Sequence, residues 1–516
     1  MQTLKHRFTT LDSKRRAHLA RQRDCSRLTI PSLLPPEGTT ENTDLPTPWQ
    51  SLGARGVNNL AAKILTAMLP PLGAFFRLLV SGTAEDELEA QSANAQTKLQ
   101  KALGRIERKV AKFIEKLSLR VPLFRVIKLL IVTGNALCYV ADAGGMQVYR
   151  LDNYVVTRDS VGNVVEVITR ENVAPITLPE HVLERITVKL EDEKDVEVYT
   201  RILRKTNSWH VTQEIEGVPI PEAEGEYPLD KCPWIVLRWS DSDGGNYGRG
   251  LCDENLGDLE SLESLTKTIV EGSAAAAKVI FLVDPNGVTN YKALAETPNT
   301  GFAPGKAEDV TVLQLNKFAD FQTASQTRQE LIERLSMAFL MHSSVQRNAE
   351  RVTAEEIRFM ASELESSLGG VYSLLSQELQ LPLVKRVMHL MKGRQEIPDL
   401  PEGTVDPVII TGLDALGRGH DLQKLGAYME HIQILGPETL QKYLVIGDYL
   451  ERVATALGID AEGLARNEEE VMNMEQYQMF QAMLAKIGPD AMNQLLGGMM
   501  SMAENEQTTT LQQGAM

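Results

Sequence analysis

Apolar residues recur with a helical period in several long stretches of the chain and with a strand period in one. Leu99, Leu103, Ile106, Val110, Phe113 and Leu117 step by three and four, with Lys98, Lys101, Arg105, Lys109, Lys112 and Lys116 on the other faces. That spacing predicts an amphipathic helix over 98–117. Prolines at 31, 35, 36, 46 and 48 forbid a helix from 31 to about Trp49, after which Leu52, Leu60, Ile64 and Met68 predict a packed helix ending at Pro70. Between 137 and 240 the period shortens. Runs such as 146–151 and 164–169 flank a turn at Asp159–Asn163, and 196–203 alternates before 209–215, so this block is predicted to be antiparallel and β-rich.

Helix resumes from about Asp253, with Leu256, Leu259, Leu262, Leu265 and Ile269 on one side, and runs into the small residues Ser273 to Ala277, which suit close helix packing. A second helix is predicted from roughly Phe318 to Met341. Between them, 281–317 carries Pro285, Gly287, Pro298, Gly301, Pro304 and Gly305 with short apolar runs at its edges, the pattern of a small α/β excursion. The strongest element opens at Thr353-Ala-Glu-Glu356, a capping box in which threonine hydroxyl and glutamate satisfy each other's amide donors. The stripe Ile357, Met360, Leu364, Leu368, Val371, Leu375 and Leu379 carries this helix to about Met391, with bends expected at Gly369-Gly370 and Pro382. Residues 392–420 read as loop, followed by helical segments at about 421–435, 438–457 and 468–487 and a Met-rich acidic end. The fold class is α+β, mainly α.

Composition narrows the function. The 516 residues are 43% hydrophobic and 24% charged, enough for several cores, and the net charge of −16 makes the chain as a whole no electrostatic trap for nucleic acid. Locally the balance reverses: residues 1–27 hold eight basic residues against Asp12 and Asp24, which reads as a solvated helix face. Cys25, Cys138, Cys232 and Cys252 are far apart and without a C-x-x-C pair, as expected for buried thiols in a reducing compartment. The most apolar stretch, 57–80, is interrupted by Asn58, Asn59, Lys63, Pro70, Pro71 and Arg77, so no membrane span is expected, and the polar N-terminus has no signal-peptide pattern.

Chemistry is sparse. Gly301-Phe-Ala-Pro-Gly305-Lys306-Ala has one residue too few between its glycines for a phosphate-cradling loop and Ala307 where a hydroxyl would hold magnesium. Gly248-Arg-Gly250 and Gly417-Arg-Gly419 lack the third glycine of a dinucleotide fingerprint and read as turns. The eight histidines form no H-E-x-x-H, and no G-x-S-x-G elbow occurs. No catalytic residue, metal ligand or cofactor site is predicted. The informative segment is 341–352, a polar junction between two helices carrying Arg347 and Arg351; it is either an ordinary interhelical loop or one whose guanidinium forks meet phosphate oxygens.

Several long blocks carry a resemblance. Thr47-Pro-Trp-Gln-Ser-Leu-Gly-Ala-Arg-Gly-Val-Asn-Asn-Leu-Ala-Ala-Lys63, Val132-Thr-Gly-Asn-Ala136, Tyr149–Asp159, Tyr247-Gly-Arg-Gly250, Leu256–Glu263, Ser344–Arg358, Leu368–Val384 and Thr411–Gly419 together resemble the portal, or head-to-tail connector, proteins of T7-like short-tailed bacteriophages. The resemblance spans about residues 25–420. It implies the phage portal fold, assembled as a ring of twelve around a channel. The wing would comprise 1–252 with 342–410, the stem helices 253–280 and 318–341, the clip 281–317, and the crown with its tail 411–516. Segment 342–352 would be the channel loop, with Arg347 and Arg351 the candidates for touching DNA, and 353–391 the long bent wing helix.

The implied function is non-enzymatic: nucleating head assembly at one capsid vertex, docking the terminase and then the tail, and serving as conduit for packaging and ejection. Implied partners are further copies of the chain, double-stranded viral DNA read without sequence specificity, terminase, major capsid and scaffolding proteins, a tail adaptor and internal core proteins, with no membrane. The protein would reside in the virion after synthesis in the host bacterial cytoplasm. An acidic channel wall would repel DNA while a few arginines grip it transiently. A scaffolding or core protein fits the helices and acidic tail but explains the β block and the excursion poorly. An enzyme with an unrecognised nucleotide or metal site is the alternative from a different class.

Overall fold

The computed structural model describes residues 3–40, 42–70, 75–80, 93–186, 195–240, 244–276, 280–298, 300–313, 318–341, 354–398, 405–409 and 425–432, with scattered positions from 444 to 453. Two compact units divide the chain, Met1–Ala415 and Leu416–Met516. In the second, 425–432 is helical. The helices expected at 438–457 and 468–487 fall almost wholly outside the described residues.

The first unit opens with α1 (Leu4–Lys14) and α2 (Arg16–Arg27). Their basic residues are not a free solvated face. Lys5 pairs with Glu197 at 2.7 Å and Arg7 with the buried Glu166 at 2.7 Å, while Arg21 and Gln22 both donate to the buried Asp253. Arg15, Arg23 and Arg27 pair with Asp12, Glu37 and Asp24. Carboxylates far along the chain thus draw the helices inward, and Phe8 and Leu11 follow them into a cluster with Val155, Ile168 and Tyr199.

Helix α3 (Leu52–Met68) starts past the proline run, β1 (Phe76–Val80) follows, and α4 (Ala93–Lys116) carries the predicted apolar stripe, with Leu103, Ile106, Val110 and Phe113 buried. Helix α5 (Arg120–Thr133) is the centre of the core: Val126, Leu129, Leu130, Ile131 and Val132 are all inaccessible, as a helix apolar around most of its circumference must be. It stops at Gly134, whose φ of +69° and close approach to the backbone of Arg249 and Gly250 admit no side chain.

The β-rich block forms two antiparallel sheets. In the first, β10 (Trp234–Arg238), β2 (Asn135–Val140) and β3 (Met146–Tyr149) lie side by side in that order. The second runs β4 (Tyr154–Arg158), β5 (Val164–Val173), β6 (Val196–Arg204), β7 (Ser208–Ile215) and β8 (Val218–Pro219), with β9 (Gly225–Pro228) also on β7. A short helix, α6 (Glu180–Ile186), sits between β5 and β6. The hairpin at 159–163 is therefore flanked by β4 and β5, whereas the 146–151 run belongs to the other sheet. A 3-10 turn at Leu151–Asn153 hands the chain across, a break that continuous apolar alternation conceals.

After α7 (Leu251–Glu254), α8 (Leu256–Ala276) leads out and α10 (Phe318–Ala338) returns, forming an antiparallel helical hairpin. At its far end β11 (Ile280–Val283) pairs with β12 (Val310–Leu313) around a small helix, α9 (Tyr291–Glu296). The strongest sequence signal gives α11 (Ala354–Leu375), a π-helical turn at Ser376–Gln380, and α12 (Leu381–Gly393). One irregularity is Leu368, with φ −122° and ψ 16°, immediately before the glycine pair; the other is the π turn, immediately before Pro382. Thr353 lies outside the described residues.

The 392–420 stretch expected to be loop contains β13 (Val405–Ile409), which pairs antiparallel with β1 across more than 300 residues of sequence. Pro407 hides this strand from local reading. It is tolerated because, among the described residues, the ribbon has two strands and so leaves one edge of each unpaired.

Candidate nucleic-acid interface

Arg347 and Arg351 lie outside the described residues, as does the rest of 342–353; the structure describes the two helices that end beside this segment. Their mounting is built on α3. The final turn of α10 buries Phe339, and the ring lies where a β-carbon on Gly56 would be, 2.6 Å from Cγ. Leu340 then turns left-handed at φ +51°, a conformation costing about 1 kcal/mol or more that neighbouring contacts must hold. Lys63 Nζ donates to the Leu340 carbonyl at 2.7 Å, and Asn59 Nδ2 to the Phe339 and Leu340 carbonyls at 3.4 Å each.

The same ammonium reaches Glu363 on α11 at 3.2 Å, so one cation joins the helix entering the segment to the helix leaving it. Lys63 is only 8% exposed. A buried ammonium needs several acceptors, and here a carbonyl and a carboxylate supply them. Sequence reasoning named the arginines and missed Gly56, Asn59, Lys63 and Glu363. The signal was a lysine and an asparagine within an apolar helical stripe, where a solvated face would not place them.

Farther along the long helix, the π turn presents Glu378 to the β-rich block. Its carboxylate accepts from Arg238 Nε at 3.0 Å and from the Arg238 amide at 3.1 Å, with Arg158 at 3.5 Å. Burial pushes the Glu378 carboxyl above its usual value, opposed by the two guanidinium charges. Arg386, on α12, is fully buried and donates to the Val140 carbonyl and to Asp142. Two arginine–carboxylate links therefore tie the second half of the long helix to the sheets.

Among the described residues, the hairpin joins the main core at its base. Leu256, Leu259 and Leu262 on the outgoing helix and Leu331, Leu335 and Phe339 on the returning one join the main core, and Glu263 accepts the amides of Trp49 and Gln50. Beyond them, among the described residues from 263 to 330, Thr289 is the one buried side chain. The helices touch closely where Gly272 faces the Phe321 ring. At the tip, Thr289 and Asp309 organise the turn: the Thr289 hydroxyl donates to Asp309 Oδ2 at 2.8 Å and accepts the Lys306 amide at 2.8 Å. Around that polar centre Phe281, Leu282, Val288, Tyr291 and Phe302 are exposed, Phe281 at 61% and Phe302 completely.

Other chemistry is quiet. Burial pushes Cys25, Cys138 and Cys232 up to about 12 and Cys252 well above the usual thiol value, so none is a ready nucleophile. Among the described residues no cluster of three His, Cys, Asp or Glu has metal-holding geometry, and no helix is long and apolar enough to cross a membrane.

A family model described as bacteriophage head to tail connecting protein matches residues 1–464. The portal protein of Enterobacteria phage T3 is 42% identical over 472 residues, 90% of this chain and 88% of that protein. That of Escherichia phage T7 is 40% identical over 473 residues, with the same coverage. Among solved structures, a chain titled as the neck of an empty GTA particle covers 80% of this chain and 90% of its own at 12% identity and a TM-score of 0.38, a likeness too loose to add to the sequence relationship.

Proposed function

The chain belongs to the bacteriophage head to tail connecting protein family, and we propose that it is the portal subunit of a short-tailed phage, assembled as a ring of twelve at one capsid vertex. Identity of 40–42% along nine-tenths of the chain to two portal proteins carries this reading. A closed ring needs two different complementary faces on each subunit. The hairpin supports such a role, because its helices and tip leave apolar surface uncovered in the single chain, as segments that pack against other copies or other proteins do.

In this reading α8 and α10 form the stem, 281–317 the clip that meets terminase and then the tail adaptor, 1–252 with 342–410 the wing, and 411–516 the crown. Segment 342–352 lines the channel. Between 256 and 341 the chain carries eleven acidic and seven basic residues, so a ring of stems repels the phosphate backbone and lets DNA slide. Arg347 and Arg351 supply the transient grip, and Lys63 with Glu363 joins the helix that leads into their segment to the helix that leads out of it. Their contacts are salt-sensitive and indifferent to base sequence.

Negative-stain electron microscopy with mass determination on the purified chain tests the assembly; annular particles of about twelve subunits are expected, and a compact monomer contradicts the ring. The loop has its own test. Arg347→Ala with Arg351→Ala leaves rings intact and lowers DNA packaging or genome retention, whereas normal packaging by verified rings removes the loop from the mechanism.

A further inference from the structure

We propose that a cleft between the two N-terminal helices, Ser240 and the 244–254 segment binds phosphate oxygens. The cleft encloses about 730 Å³ and is lined by Lys14, Arg15, His18, Ser240, Asn246 and Arg249, together with the Tyr247 ring. Three permanent cations converge there in a chain whose net charge is −16. Elsewhere on α1 and α2, five basic residues carry a carboxylate partner from another part of the fold or from their own helix, and Arg15 has Asp12. Lys14 and Arg249 have no such partner among the described residues.

The floor of the cleft is a built structure. Arg15 is 4% exposed; its Nε and Nη2 both lie 2.8 Å from Asp12 Oδ1, and its Nη1 has no hydrogen-bond partner, which leaves a desolvated donor of the paired guanidinium unmet. The guanidinium carbon stands 5.3 Å from the centre of the Tyr247 ring, and His18 stacks on the same ring at 5.4 Å. Burial lowers the His18 pKa, with Arg15 and Arg249 pushing the same way against Asp253. Among the described residues of the lining Glu254 is the one carboxylate, and burial raises its pKa.

Backbone geometry fixes the wall. The Asn135 side chain exchanges two hydrogen bonds of 2.8 Å with the backbone of Gly248, and a β-carbon on Gly134 would strike Arg249 and Gly250 at 2.5 Å. The Gly248-Arg-Gly250 turn is therefore locked to the end of α5, with Arg249 projecting as the exposed member of an immobile loop. An arginine on a rigid backbone loses less freedom on binding than one on a free loop, and its planar fork matches a phosphate.

Phosphate could arrive as a free phosphate or nucleotide or as part of a DNA backbone, and the test separates these sources. Isothermal titration of the full-length chain with inorganic phosphate, against chloride at equal ionic strength, is expected to show saturable binding. Lys14→Ala with Arg249→Ala, both solvent-facing positions, should weaken it at least tenfold while circular dichroism stays unchanged. A short DNA duplex that binds and is displaced by phosphate identifies the backbone as the source; phosphate binding without duplex binding identifies the free ion or a nucleotide. No saturable phosphate binding overturns the proposal, as does equal affinity in the variant. Loss of rings in the variant without any phosphate effect also overturns it and assigns the cations to a contact between copies.

Discussion

The body of the first unit and the tip of its hairpin solve the same problem in opposite ways. In the body, helix α5 and its neighbours bury aliphatic side chains completely, and even charged groups such as Glu166, Asp253 and Arg386 are drawn inside against partners. At the tip, a two-stranded ribbon and one turn of helix surround a threonine–aspartate network, and the apolar residues point outward. A two-stranded ribbon is marginal alone in water. The body covers its apolar side chains from within the chain, whereas the tip takes its shape from a local polar network and leaves its apolar side chains uncovered.

The sharpest way to break this contrast is to cut where the two regions meet. Phe339→Ala removes the ring that fills the space above Gly56 and joins the hairpin base to the core; a loss of about 3–5 kcal/mol in urea unfolding is expected. Next comes Lys63→Met, which keeps the aliphatic stem and strips the donors from Leu340 and Glu363. About 2–3 kcal/mol is expected, and the Glu363→Gln background should recover part of it by removing the orphaned charge. Both changes act on the global transition.

Smaller effects separate the tip from the body. Thr289→Val removes the hydroxyl that links Asp309 to the Lys306 amide and should loosen only 284–309, read as faster amide exchange there with an unchanged global midpoint. Phe302→Ser should shift stability by no more than about 0.5 kcal/mol, because the ring is fully exposed and touches no core. Its effect is expected in pull-down against tail or terminase components. A large stability loss from Phe302→Ser would show that the tip is self-sufficient after all.

Much of this architecture was readable because it is local. Helix periods around Leu103, Leu259 and Leu364, the Gly/Pro punctuation of 285–305 and the bend signals at Gly369-Gly370 and Pro382 all act within a few residues, and the elements stand close to where those signals place them. What escaped reading was long-range. The run 1–27 looked solvated because its carboxylate partners, Glu166, Glu197 and Asp253, lie 150 or more residues away. Lys63 looked like an interruption because Glu363 stands 300 residues further on. Arg347 and Arg351 were named from chemistry and family resemblance, and they lie outside the described residues.

The ribbon of β1 and β13 sets a timetable for the making of the subunit. Phe76 pairs with Ile409, so the first strand has no partner until the second has left the ribosome. At ~5–20 residues per second, the intervening chain takes roughly 16–66 s to synthesise. Contacts this distant in sequence are slow to form, since closing the chain costs entropy before pairing returns it. The earlier β-rich block, whose strands all lie within residues 135–238, can be complete during that interval. The ribbon of β11 and β12 can also close early, yet Leu340 at the foot of its hairpin shares Lys63 with Glu363, which is made later. The first unit is therefore complete only late in its own translation.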